Sequence, residues 1–151
     1  MLRSVQRGFA IGLTAASLLA GAAGCGGPQK PRPPAVAQPT YLMMGSDEAA
    51  AVTYLDEMST ILEAQVGDPA QALSRLVAYL ATNRAQMLAN ARALESRFAA
   101  FRGRERRQYE VELARYLEAA NVRWRTARSA IMSRDSATGR RIQEAVERLD
   151  Q

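Results

Sequence analysis

The residues able to do chemistry in this sequence are few. Cys25 is the only thiol among 151 residues, so it has no partner for an intrachain disulfide and too few companions for a cysteine-ligated zinc site. Arg102, Arg104, Arg106 and Arg107 form a second set, with Arg97 shortly before them and Glu105 the one acid among them. Guanidinium groups at that density suit an anionic polymer or a lipid headgroup. The acids Asp56 with Glu57, and Glu110 with Glu112, suggest metal or acid–base chemistry at first sight. Residues one or two apart diverge around a helix, however, and do not converge on one ligand. Histidine is absent, which removes the commonest general base near neutral pH and the Glu-x-x-His pair of di-metal bundles. The serines are isolated, and neither a Gly-x-Ser-x-Gly turn nor a phosphate loop occurs. The expectation is a protein that is not an enzyme and holds no metal or cofactor.

The setting of Cys25 is more specific. Arg3 and Arg7 precede the run "FAIGLTAASLLAGAA" of residues 9–23, which has the basic start, apolar middle and small-residue end of a secretory signal. The run is too short and too rich in glycine for an uncleaved membrane helix, and "GCGGP" cannot be a core element. Its last part, "AAGC" from Ala22 to Cys25, resembles the lipobox of bacterial lipoprotein signal peptides, with Ala22 where leucine is most usual. The resemblance covers about the first 26 residues. It implies removal of residues 1–24 and acylation of Cys25. It also implies sorting to the outer membrane, because Gly26 stands where inner-membrane retention goes with aspartate. Each buried methylene contributes about 0.8 kcal/mol, so the two or three acyl chains of that family would give nearly permanent attachment.

Residues 26–45, "GGPQKPRPPAVAQPTYLMMG", hold five of the six prolines and read as an extended tether. At about 3.1 Å per residue they span up to roughly 60 Å. The apolar "YLMM", Tyr41 to Met44, is expected to fold back onto the first helix.

From residue 46 onward the apolar spacing is helical. Ser46 followed by Asp47 and Glu48 reads as an N-cap with acids in the first turn, where the helix dipole favours them. Val52, Leu55, Met58, Ile61 or Leu62, and Val66 then recur every three or four residues. "DPAQ", Asp68 to Gln71, gives an N-cap with proline at the first helical position. Leu73, Leu80, Met87, Leu94 and Phe101 stand seven apart, with Val77, Ala91 and Phe98 between them, so a seam of period 3.5 is interrupted only by Arg84. "RGRERRQ", residues 102–108, has no apolar residue and contains Gly103, and reads as the turn of a helical hairpin. Tyr109, Leu113, Leu117, Ala120, Trp124, Ala127 and Ile131 mark the returning helix. "RDSATG" interrupts at residues 134–139, and Ile142, Ala145, Val146 and Leu149 mark a short last helix. Valine, isoleucine and threonine never alternate long enough for a strand. The spacing predicts an all-α fold: an elongated antiparallel bundle of three to four helices with a long hairpin, at about 46–66, 69–102, 105–133 and 139–150.

The overall basic balance carries little weight, because 19 arginines against the single Lys30 is what a preference for arginine codons would give. Its distribution matters more. Residues 47–68 hold six acids and no Lys or Arg, whereas residues 69–151 hold 16 arginines against nine acids, so the first helix should pack beside the later ones by charge. Arg123, Trp124, Arg125 and Arg128 look like a nucleic-acid motif, but Trp124 lies on the apolar stripe and export excludes nucleic acid as a partner. Asn83, Asn90 and Arg97, again seven apart, suit adjustment of helix pairing. The sequence thus points to a lipid-anchored module of the bacterial cell envelope with a protein partner and room for homo-oligomerisation. The alternative is an anion binder acting through Arg102, Arg104, Arg106 and Arg107.

Overall fold

The computed structural model describes residues 43–150. Residues 1–42, with Cys25 and the segments expected to be a signal and a tether, lie outside the described residues. Among the described residues there are four helices, α1 (Ser46–Ala64), α2 (Pro69–Ala100), α3 (Gly103–Arg134) and α4 (Ser136–Glu147), followed by a 3-10 turn, Arg148–Asp150. Among the described residues there is no strand, and the protein is an all-α bundle. At 32 residues each, α2 and α3 are about 48 Å long at 1.5 Å per residue.

The antiparallel hairpin of α2 and α3 is open rather than closely paired. The two long helices touch each other little, and α1 packs against both of them. The acidic first helix is bound to the arginine-rich helices: Arg123 on α3 grips both carboxylate oxygens of Glu63 at 2.9 and 2.6 Å and reaches Asp56 at 3.2 Å. The Tyr79 hydroxyl on α2 donates to Glu57 at 2.7 Å. α4 then packs on α3 and on the first part of α2.

Four helices therefore meet at only one end. The buried apolar residues Leu55, Met58, Leu62, Ala72, Leu73, Leu76, Leu80, Ala120, Ala127, Ile131 and Ile142 form one cluster there, which we call the base. Beyond Leu80 no residue of α2 is fully buried, and the seam residues Met87, Leu94 and Phe101 are half-buried. Trp124 is half-buried against the base cluster, as its place on the apolar stripe requires.

Three boundaries differ from the sequence expectation. The hairpin turn is two residues, Phe101 and Arg102, and not residues 102–108; both are extended, and Gly103 opens α3 with a φ of 51°. Arg104, Arg106 and Arg107 accordingly lie in the first turns of a helix. The run lacks apolar residues because that stretch is solvated on all sides, not because it leaves the helix. The N-cap of α1 is Gly45, so Ser46 is its first helical residue. The last helix starts at Ser136, three residues early, because Asp135 caps it by accepting from the N–H groups of Ala137 at 2.9 Å and Thr138 at 3.1 Å.

The interruption expected over residues 134–139 is confined to Asp135, and Gly139 sits inside α4, where the helix crosses α3 closely. A Cβ on Gly139 would lie 2.8 Å from the Cβ of Met132 and 2.9 Å from its Cα, the latter a backbone atom that cannot swing away. Gly139→Ala is expected to destabilise the fold by about 2 kcal/mol, since an overpacked contact must be relieved by a helix shift. Urea denaturation of the variant checks this, and an unchanged midpoint with an unchanged slope would rule the close crossing out.

Candidate functional site

The polar constellation with the most organised geometry lies where the chain enters the bundle, near the hairpin tip. Glu48, in the first turn of α1, is fully buried although it is a carboxylate. The Tyr109 hydroxyl of α3 donates to its Oε1 at 2.6 Å. Its Oε2 accepts from the Gly45 N–H at 2.8 Å and from Arg97 Nη1 of α2 at 3.2 Å. Arg97 also donates through Nη2 to the Met43 carbonyl at 2.6 Å, and the Met43 N–H donates to Glu112 at 3.2 Å. Asn90 on α2 donates to the Asp47 carbonyl at 2.9 Å. The backbone of Met43 is thus held on both sides, by α2 and by α3.

Local structure explains why these residues meet. Glu48 is the third residue of α1, the position from which a side chain reaches back to the N-cap N–H. Tyr109 is fully buried, with its ring centroid 4.9 Å from that of Phe101 and 6.3 Å from that of Phe98. The aromatic pocket turns its hydroxyl towards α1. Burial pushes the Glu48 carboxyl up, but the Tyr109 hydroxyl, the N–H groups of Gly45 and of Glu48 itself, and the Arg97 charge together outweigh it, so the group titrates below its ordinary range. The Tyr109 hydroxyl is pushed well above the usual tyrosine range, first by burial and then by the hydrogen bond to Glu48. A carboxylate that is held ionised by three donors is a structural tie, poorly suited to donate or withdraw a proton.

The arginines singled out by sequence divide into two kinds. Arg102 folds its guanidinium back onto the carbonyls of Ala99 and, at 3.0 Å, Phe101, closing the end of α2. Arg106 lies over the Phe98 ring, 4.1 Å from its centroid, and pairs with Glu110 at 3.6 Å. Arg104 and Arg107 are exposed and, among the described residues, make no ion pair or hydrogen bond through their side chains. The acids considered for metal chemistry diverge: Asp56 turns to Arg123 on α3 and Glu57 to Tyr79 on α2, while Glu110 faces Arg106 and Glu112 accepts from Gln108 and Met43. Among the described residues no group of three or more His, Cys, Asp or Glu is placed to hold a metal ion. None of the described helices is long and apolar enough to cross a membrane. Of the supposed nucleic-acid motif, Arg123 is committed to Glu63 and Asp56, Arg125 pairs with Glu118 at 3.5 Å, and Arg128 bonds Gln143.

At the base, an open groove of about 420 Å³ runs between α2 and α4, with Leu73 and Val77 on one wall and Arg141 and Glu144 on the other. Val77 is 47% exposed there.

No protein-family model, curated protein or solved structure matches this chain.

The Glu48 junction escapes sequence reasoning, which places Glu48 only among the dipole-favoured acids of the first turn. A signal was nonetheless present. Glu48 stands in register with Ala51, Leu55, Met58 and Leu62, the buried stripe of α1, so its face was legible even though its residue type argued for solvent.

Proposed function

We propose that this protein is a lipid-anchored, non-enzymatic helical module of the bacterial cell envelope, attached through an acylated Cys25 and acting by interaction or support. The observation that carries the reading is the sequence "AAGC" at the end of a basic-then-apolar leader. The fold is compatible with that use. The chain leaving the tether is gripped at Met43 by both long helices, so force or position applied at the anchor is passed to a bundle about 48 Å long. Gly26 after the cysteine favours the outer membrane, and the partner on this reading is another envelope protein. A long body on a tether presents helix faces at a distance from the bilayer, which is what an interaction or spacing role needs.

The test is metabolic labelling with a palmitate analogue, together with the mass of the mature amino terminus. The wild-type chain is expected to take up label, begin at Cys25 and sediment with membranes, and Cys25→Ser to lose label and membrane retention together. An unmodified terminus upstream of Cys25 would refute the anchor. Cross-linking in intact cells then reads the partner.

A further inference from the structure

We infer that the hairpin tip docks on anionic phospholipid headgroups of the bilayer that holds the anchor, with Arg104 and Arg107 as the contacting cations. The inference rests on the anchored reading above and adds an orientation to it.

The first support is where the undescribed chain ends. Met43 is fixed between Arg97 and Glu112, four residues before Phe101 and nine after Gly103. At 1.5 Å per residue the tether joins the body about 6 to 14 Å from the tip along the helices, against about 48 Å for the length of the hairpin. An anchor upstream of Met43 therefore keeps the tip at a higher effective concentration near the membrane than the base.

Charge gives the second support. Arg104 and Arg107 are unpaired and exposed. They stand in the first turns of α3, where the helix dipole already presents positive charge and where Glu105 is the one acid that offsets it. Unlike Arg102 and Arg106, these two side chains bond nothing among the described residues, so the fold gains nothing visible from their charge. A surface of phosphates relieves the repulsion, and guanidinium groups match phosphate geometry. Exposed arginines also occur near the base, Arg140 and Arg141 among them. They lie at the end remote from Met43, so position separates the two patches. Docked at the tip, the bundle stands away from the bilayer and turns the groove between α2 and α4 outward.

The experiment couples the chain from Cys25 onward, the mature form on this reading, through its only thiol to a maleimide lipid in phosphatidylcholine vesicles, with or without phosphatidylglycerol. Amide hydrogen exchange is then followed by mass spectrometry. Because the attachment is chemical, the result is independent of acylation in cells, which the amino-terminal mass decides separately. Peptides covering residues 98–110 are expected to exchange about tenfold more slowly on the anionic vesicles alone. Added salt should remove the effect, Arg104→Gln with Arg107→Gln should abolish it, and Arg140→Gln with Arg141→Gln should preserve it. Equal exchange on both vesicles would overturn the proposal. So would protection of residues 136–148 in place of the tip, or protection that survives loss of Arg104 and Arg107.

Discussion

Glu48→Ala is expected to destabilise the protein by about 3 kcal/mol, a large share of the stability of a domain this size. The cost arises from what remains behind. Tyr109 keeps a fully buried hydroxyl whose acceptor has gone, the N-cap N–H of Gly45 loses its bond, and Arg97 keeps its charge beside an apolar ring. Glu48→Gln should cost less, about 2 kcal/mol, because an amide oxygen can still accept from Tyr109 while the amide nitrogen faces donors. Tyr109→Phe with Glu48→Ala should cost less than the sum of the single changes, since each removes the partner that the other leaves stranded. Urea denaturation of wild type, the single variants Glu48→Ala, Glu48→Gln and Tyr109→Phe, and the double variant measures all three terms.

The same group fixes a pH dependence. Its folded pKa lies below the ordinary value of 4.5, so its contribution is complete above about pH 4.5 and is lost as pH falls through the lower folded value. The gap in stability between wild type and Glu48→Gln should therefore be widest at neutral pH and narrow as the pH falls below 4.5. A gap that stayed constant would mean that Glu48 acts by shape alone.

The helices and their antiparallel order were legible because burial imposes periodicity on sequence. Leu55, Met58 and Leu62, or Ala120, Ala127 and Ile131, repeat at three, four and seven residues only because one face is covered. Where burial is weak the same logic misleads. Residues 103–108 carry no apolar residue because the tip of α3 has little around it to pack on, and a solvated helix and a loop then look alike. Gly139 misled for the opposite reason. Its missing side chain answers a neighbouring backbone on another helix, and that relation has no trace in local spacing. For the candidate site, the arginine cluster could be found in the sequence, but the division of labour within it could not. Which guanidinium closes a helix end and which stays free depends on a two-residue turn whose position the pattern leaves open.

Leu62→Ala, on α1, is expected to cost about 3 to 4 kcal/mol, and Leu94→Ala, half-buried on the seam of α2, only about 1 kcal/mol. Leu62 is fully buried where four helices meet, so truncation opens a cavity that helices held on several sides cannot close. Leu94 lies where three helices run with no fully buried apolar residue on α2, and water or a small shift fills the space. Thermal or urea unfolding of the two variants checks the contrast, and equal costs would mean that the apolar core runs the whole length of the hairpin. The asymmetry gives the Glu48 junction its importance. The end where the chain enters the bundle at Met43 is the end with the least apolar packing, so its order depends on a few hydrogen bonds among Glu48, Tyr109, Arg97 and Met43. Glu48→Ala should then raise amide exchange first in residues 46–52 and 94–112, with Leu62→Ala raising it throughout, because loss of a local tie opens one end whereas loss of core opens the whole bundle.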